Sequence, residues 1–212
     1  MPTKRQTRKT QNRRKIFCQD AMKWLPTQKN LDAIVTSIPE MEEMKMNMKE
    51  YQPFFRSAAR ACLNAVKDSG YVVFLQTDRK YHGWFDKSFH ISAVAEEAGF
   101  HMVWHKIALR TDVGKTDLFR PTFSHMLCYT KTGAVGKPFP DVLARGTVTY
   151  SDAFGRDAVR RVCEYLKAQG VRTIVDPFVG SGTTVAVANE LGLMGIGVDI
   201  DPAQCAKARV LR

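Results

Sequence analysis

The segment VDPFVGSGTTVAVANELGLMGIGVDID, residues 175–201, constrains the fold of this chain more than any other. It predicts a strand that ends at Asp176, a glycine-rich turn, a helix that begins at Thr183 and a second strand that ends at Asp199. Glycines let a ligand approach the backbone closely, and the first turn of a helix offers free N–H groups. An acid at the end of the second strand can hold two ribose hydroxyls. The segment therefore predicts a βαβ unit that binds a nucleotide-like cofactor.

The rest of the chain alternates between strand-like and helix-like segments. Strands are predicted at 15–18, 31–36, 71–76, 102–109, 123–130, 172–175 and 195–199, and helices at 54–68, 88–99, 157–169, 183–191 and from 202 onward. Residues 41–51 are predicted to be a mobile loop or frayed helix, and residues 131–150 a connection. This order predicts an α/β fold with a doubly wound, seven-stranded, mostly parallel sheet. One strand between 102 and 130 is expected to be antiparallel, because its connection is too short for a helical crossover.

Length and composition fit one globular domain. The chain has 212 residues, of which 44% are hydrophobic, and it has no apolar run long enough to cross a membrane. Its five cysteines include no CxxC pair, so the sequence supports neither a metal site nor a disulfide framework. These features predict an intracellular protein, in the cytoplasm or the nucleus, without a metal ion.

The first fifteen residues form a distinct basic segment. They contain seven lysines and arginines and no acid, within a chain of formal net charge +11. We expect residues 1–15 to be a flexible arm that contacts phosphates of a nucleic acid. The alternative is a solubilising tail or a localisation signal. Residues 16–212 are expected to be one domain, in which 16–150 hold the substrate half and 151–212 the cofactor half.

The DPFVGSGTT and GIGVD sequences resemble the cofactor motif of S-adenosylmethionine-dependent amino-methyltransferases. The resemblance implies that Asp176 binds the amino group of S-adenosylmethionine, that Phe178 lies along the cofactor and that Asp199 binds its ribose. The segment from Phe17 to Glu40 is similar to the family's opening segment, which implies a contact of Asp20 with the adenine. The resemblance also places in the cofactor site Ser37, Gly180, Gly182, Thr183 and Thr184. Because the catalytic half comes first, the order resembles the circularly permuted β-type base methyltransferases, with a Rossmann-like methyltransferase fold.

The catalytic motif departs from that family. Where relatives have DPPY or NPPY, this chain has Ser37, Ile38, Pro39 and Glu40, so a hydroxyl replaces the amine acceptor and a carboxylate replaces the stacking ring. An imide nitrogen such as uridine N3 must lose a proton, and Glu40 could be the base. The alternative is a structural Glu40 with Ser37 and the Ile38 carbonyl as amine acceptors. The predicted catalytic residues are Ser37, Pro39, Glu40 and, after the strand at 71–76, Asp78.

The predicted substrate is a base nitrogen of a nucleic acid, with RNA preferred over DNA. About twenty residues separate the strand at 123–130 from the helix at 157, too few for a separate DNA-reading region. The alternative within the same class is a DNA adenine-N6 or cytosine-N4 methyltransferase. The alternative of another class is an inactive subunit that binds S-adenosylmethionine and RNA. Further candidates near the substrate are the polar residues His105, Lys106 and His125 and the aromatic residues Trp84, Phe85, Phe119 and Phe123.

Overall fold

The computed structural model describes residues 14–80, 83–137, 139–144, 146 and 155–211. The strands in these ranges are β1 (Arg14–Cys18), β2 (Leu31–Thr36), β3 (Val66–Gln76), β4 (His101–Leu109), β5 (Phe123–Thr130), β6 (Val142–Leu143), β7 (Thr173–Asp176) and β8 (Met194–Asp199). The helices are α1 (Ala21–Trp24), α2 (Met48–Ala65), α3 (Lys87–Glu97), α4 (Arg156–Ala168), α5 (Thr183–Glu190) and α6 (Pro202–Val210).

The strands form one sheet in the order β1-β8-β7-β2-β3-β5-β4-β6. All neighbouring pairs are parallel except β3–β5 and β4–β5, so β5 alone among the described strands runs against the others. This confirms the predicted doubly wound, mostly parallel sheet with one antiparallel strand. The predicted number of seven strands is wrong by one, because the two-residue β6 adds an edge strand within the segment predicted as a connection.

Hydrophobic cores cover both faces of the sheet. On one face, Val72 and Phe74 of β3 pack with residues of α1, α2 and α3. On the other face, Val73 and Leu75 pack with residues of α4 and α5. This alternation along one strand is the two-residue period of a strand buried on both sides. The carboxyl edge of the parallel strands stays outside both cores and is available for a site.

Helix α2 begins earlier than predicted. Asn47 accepts hydrogen bonds from the backbone N–H groups of Lys49 and Glu50, and the Glu50 side chain accepts from the Asn47 backbone N–H. This capping box starts the helix at Met48, within the segment predicted as a mobile loop. The predicted end at residue 68 is also wrong, because residues 66–69 belong to β3.

The N-terminal boundary of the domain differs by two residues from the prediction. Arg14 and Lys15 pair with Gly195 and Ile196 of β8, so they belong to the sheet and not to the predicted arm. The remainder of that arm, residues 1–13, lies outside the described residues. Within the described ranges, no helix combines the length and apolar character that a membrane span requires.

Candidate active site

Five predicted site residues lie at one edge of the sheet. Asp20 follows β1, Ser37 follows β2, Asp78 follows β3, and Asp176 and Asp199 end β7 and β8. Since these strands are parallel neighbours, their carboxyl ends meet at the same edge. The structure thus brings together the predicted cofactor and catalytic residues from both halves of the chain.

Asp176 is a buried carboxylate at the centre of this edge. It accepts hydrogen bonds from the Thr36 hydroxyl at 2.7 Å and from the Phe178 backbone N–H at 3.2 Å. Burial, with a smaller contribution from the charge of Asp199, raises the pKa of Asp176 to about 6, although these hydrogen bonds and one from Thr184 oppose the rise. No cation among the described residues forms an ion pair with it. An ammonium group on a ligand would supply the missing charge.

The hydrogen bond from Thr36 to Asp176 joins the two halves of the site. Thr36 ends β2 and is completely buried, and the next residue, Ser37, is exposed. Ser37 is therefore held beside the predicted cofactor site by a contact one residue away. Thr36 is not among the residues predicted from the sequence, although a hydroxyl at the end of a largely apolar strand is a signal for it.

The glycine-rich turn that follows Asp176 has a backbone shape that favours glycine. Gly180 and Gly182 have φ angles of 49° and 98°, in the left-handed region that favours glycine. A Cβ on Gly182 would lie 2.7 Å from the Cα of Ala208, so only glycine fits where the turn meets α6. The buried Ser181 hydroxyl has no hydrogen-bond partner among the described residues. Gly182 is the N-cap residue of α5 and provides no side-chain cap for the first backbone N–H groups of that helix.

Two further carboxylates lie at this edge of the sheet. Asp199 accepts hydrogen bonds from the backbone N–H groups of Gly180 at 2.9 Å and Asp201 at 2.8 Å, which fix its side chain towards the turn. Asp20 caps α1 by accepting from the Met22 N–H at 2.8 Å. A carboxylate oxygen has two acceptor positions, so all of these groups can still accept from a ligand.

The Ser37–Glu40 loop is fixed from two sides. The Tyr51 hydroxyl donates to the Pro39 carbonyl at 2.8 Å, and Ile38 is completely buried. Lys87 Nζ donates to Glu40 Oε1 at 2.6 Å, and the Lys87 side chain is fully buried. The charge of Glu40 is therefore already compensated by a buried cation. This geometry gives Glu40 a structural function, while its predicted function as a base remains a prediction.

Asp78 is the centre of a second polar cluster. Its Oδ1 accepts from the Lys87 backbone N–H at 2.9 Å, and its Oδ2 accepts from Trp84 Nε1 at 3.2 Å and lies 3.1 Å from His125 Nε2. Burial acts to raise the pKa of Asp78, but the hydrogen bonds and the charge of His125 outweigh it and lower the pKa. Asp78 is thus an ionised anchor for its neighbours.

His105 and His125 belong to the polar cluster around Asp78, whereas Lys106 does not. His105 Nε2 lies 2.8 Å from His125 Nδ1, so His125 bridges Asp78 and the exposed His105. Burial, with the charge of His125, lowers the pKa of His105. Lys106 points to the opposite face of the sheet, where its ammonium contacts Asp141 at 2.7 Å and the Phe139 carbonyl at 2.6 Å. The structure therefore does not bring Lys106 to the site.

The residues at the turn fit an adenosyl cofactor with an amino-acid tail. Asp176 presents an uncompensated carboxylate, Asp199 presents another beside a glycine backbone, and Ser181 presents a hydroxyl that lacks a partner. An ammonium group and ribose hydroxyls are the donors that such acceptors take. The fold and the site together define a Rossmann-like methyltransferase architecture.

Comparison with known proteins gives the same class. Residues 169–209 match the family model described as DNA methylase. Type II methyltransferase M.BsoBI of Geobacillus stearothermophilus is 40% identical over 55 residues, which are 26% of this chain and 11% of that protein. The match therefore spans about a tenth of the length of that curated relative.

Solved structures match almost the whole chain. The PvuII DNA methyltransferase, which is cytosine-N4-specific, superposes with a TM-score of 0.77 at 16% identity, covering 94% of this chain and 86% of that one. The complex of M1.HpyAVI with S-adenosylmethionine superposes with a TM-score of 0.66 at 16% identity, covering 92% and 98%. These similarities confirm the predicted fold. They also agree with the predicted cofactor and with the predicted class of N-methyltransferases. The description of the matching family and the name of the PvuII enzyme refer to DNA, so the predicted preference for RNA has no support from these comparisons.

Proposed function

We propose that this chain is an S-adenosylmethionine-dependent methyltransferase that modifies an exocyclic amine of a DNA base, cytosine N4 or adenine N6. The observation that carries the proposal is the hydrogen bond from Thr36 to Asp176, which holds the exposed Ser37 beside the carboxylate of the cofactor site. The family match at residues 169–209 supports DNA as the substrate. The order of the two halves supports the circularly permuted β-type arrangement.

The residues of the turn would hold the cofactor. Asp176 pairs with its ammonium group, Asp199 accepts from its ribose hydroxyls, and Asp20 and Phe178 border its adenosyl part. Gly180, Gly182 and the start of α5 at Thr183 and Thr184 provide the close backbone surface. When bound, S-adenosylmethionine supplies an electrophilic methyl group.

The Ser37–Glu40 loop positions the acceptor amine. The Ser37 hydroxyl and the Ile38 carbonyl accept the two amine hydrogens, which leaves the nitrogen lone pair directed away from them. The Pro39 carbonyl is already occupied by Tyr51, and Glu40 by Lys87, so these two contacts fix the loop. The proton lost from the methylated nitrogen leaves through the Ser37 hydroxyl to solvent.

Transfer of labelled methyl tests the proposal. The full chain is incubated with labelled S-adenosylmethionine and unmodified DNA or RNA, and the nucleosides are analysed by mass spectrometry. We expect N4-methylcytosine or N6-methyladenine in DNA. Ser37→Ala should lower turnover about 10- to 100-fold, the effect of one lost hydrogen bond, without changing cofactor affinity.

Three results would contradict the proposal. Methyl recovered at uridine N3 of RNA would instead support Glu40 as a base. Cofactor binding without transfer to DNA or RNA would support an inactive binding subunit. A Ser37→Ala variant with full activity would remove Ser37 as an amine acceptor.

A further inference from the structure

Trp84 is an exposed ring in a fixed position. Its side chain is 56% exposed, whereas the other two tryptophans, Trp24 and Trp104, are 8% and 9% exposed. Its indole N–H donates to Asp78 Oδ2 at 3.2 Å, and Asp78 is buried. A large apolar ring that is held in place but left in water is suited to bind a planar partner.

Asp78 connects the Trp84 ring to the Ser37–Glu40 loop. The same carboxylate accepts from the Lys87 backbone N–H at 2.9 Å, and Lys87 Nζ contacts Glu40 at 2.6 Å. Trp84 is therefore tied through Asp78 and Lys87 to the loop that carries Ser37. β2 and β3, which precede these two loops, are paired neighbours in the sheet. Trp84 is thus held by a residue that follows β3, at the same edge of the sheet as Ser37.

The surface beside Trp84 has the character of a nucleic-acid contact. Lys80 Nζ lies 5.8 Å from the centre of the Trp84 ring and donates to the Asp117 carbonyl at 3.1 Å. The Lys80 backbone N–H donates to the Phe119 carbonyl at 2.8 Å, and the side chains of Leu118 and Phe119 are exposed. Aromatic rings beside cations are the combination that binds unpaired bases and their phosphates.

We propose that Trp84 is the stacking platform for the target base after that base has left the duplex. This inference rests on the proposed function. Glu40, at the end of the Ser37–Glu40 loop, has no aromatic ring that could stack on a base. Trp84, in the neighbouring connection between β3 and α3, has such a ring. Of the other predicted aromatic candidates, Phe85 is buried, in contact with Tyr51 and Phe55.

Tryptophan fluorescence tests the inference without relying on activity. The full chain with S-adenosylhomocysteine is titrated with a DNA duplex whose target base stands opposite an abasic site, which makes the base easier to extrude. We expect strong quenching, because Trp84 is the exposed tryptophan. A fully paired duplex should quench less. Trp84→Ala should remove the quenching and weaken binding of the abasic duplex about 5- to 150-fold, the range of one base–aromatic stack.

Phe89 provides the matched control. Phe89 is 61% exposed and lies on α3. It is not part of the proposed stacking platform. Phe89→Ala should bind and quench as the original chain does, and Trp84→Phe should keep most of the affinity. S-adenosylhomocysteine affinity should be equal in all of these variants, which shows that they are folded.

Specific outcomes separate this inference from the proposed function. If the original chain methylates DNA and Trp84→Ala binds the abasic duplex with unchanged affinity, Trp84 does not stack on the target base, and the proposed function stands. Equal quenching by paired and abasic duplexes would place Trp84 against the DNA backbone and also overturn the platform. If the original chain neither binds nor methylates DNA, both are wrong.

Discussion

Asp176 places a carboxylate in the protein interior, and no cation of the described ranges pairs with it. Its pKa of about 6 lies above the ordinary value of 3.8, so ionisation at pH 7 destabilises the free protein by about 3 kcal/mol. A bound ammonium group would compensate that charge. The same residue therefore weakens the free fold and strengthens the complex.

The pH dependence of cofactor binding follows from this shift. Because the raised pKa means that the folded state binds the proton more tightly, the free protein gains stability from Asp176 as pH falls from about 6 towards 4. Over the same range, S-adenosylmethionine affinity should fall about tenfold per pH unit below 6, measured by calorimetry. Asp176→Asn should melt at a higher temperature at pH 7, and bind more weakly with little pH dependence. Affinity that is constant from pH 7 to pH 5 would contradict this function of Asp176.

The two side chains of the Lys87–Glu40 ion pair are buried to different extents. The Lys87 side chain is fully buried, whereas that of Glu40 is 17% exposed. Burial lowers the pKa of Lys87, while the charge of Glu40 opposes that change. Removing the carboxylate leaves a buried cation without a partner, which is the more costly of the two losses.

Glu40→Gln should therefore destabilise the fold by about 3 kcal/mol at pH 7, measured by urea unfolding. The loss should shrink as pH rises, because Lys87 sheds its proton more readily in the folded state than in the unfolded state. Lys87→Met should have a smaller effect, and the double variant should recover stability. If Glu40→Gln is as stable as the original chain, the pair has no structural function and the base hypothesis gains support.

The turn before α5 depends on glycine. Gly182→Ala should destabilise the fold by about 1–3 kcal/mol, because its φ of 98° is strained for alanine and its Cβ would lie 2.7 Å from the Ala208 Cα. Gly192 is the control, since it has a φ of 79° and no heavy atom within 4 Å of an added Cβ. Gly192→Ala should cost about 1 kcal/mol, from backbone strain alone. Equal effects of both substitutions in thermal unfolding would show that packing against α6 is unimportant.

Elements with a clear hydrophobic period could be predicted from the sequence, and those set by polar contacts could not. The predicted bounds of β2 and β5 are the observed ones, because both are largely apolar segments of strand length. The first turns of α2 were missed, although Asn47 and Glu50 have the spacing of a capping box. β6 depends on pairing with β4, a contact that sequence pattern does not show. In the site, Asp20, Asp176 and Asp199 could be predicted from motifs and Asp78 from its place after a strand. The contact of Lys87 with Glu40 is visible only in the structure.

The charge of the chain should govern its affinity for the proposed DNA substrate. The chain carries a formal net charge of +11, and its first thirteen residues include Lys4, Arg5, Arg8, Lys9 and Arg13. Deleting residues 1–13 should weaken DNA binding and reduce the slope of log affinity against log salt by up to about four or five, since each contact releases counterions. Residues 14 and 15 must stay, because they pair with β8. An unchanged salt slope would make the arm a tail without contact to DNA.

The position of β7 determines when the site can form. β7 and β8 lie between β1 and β2 in the sheet, so residues 173–199 insert between strands that precede them by more than a hundred residues. Contacts between such distant segments close late, because the entropy of a long loop is lost before the contact is gained. A chain still lacking residues 173–199 would leave β1 without its sheet partner and β2 with a bare edge that can pair with other chains. The cofactor site consequently cannot form before residues 173–199 have inserted between β1 and β2, and its formation reports that these two parts of the sheet have joined.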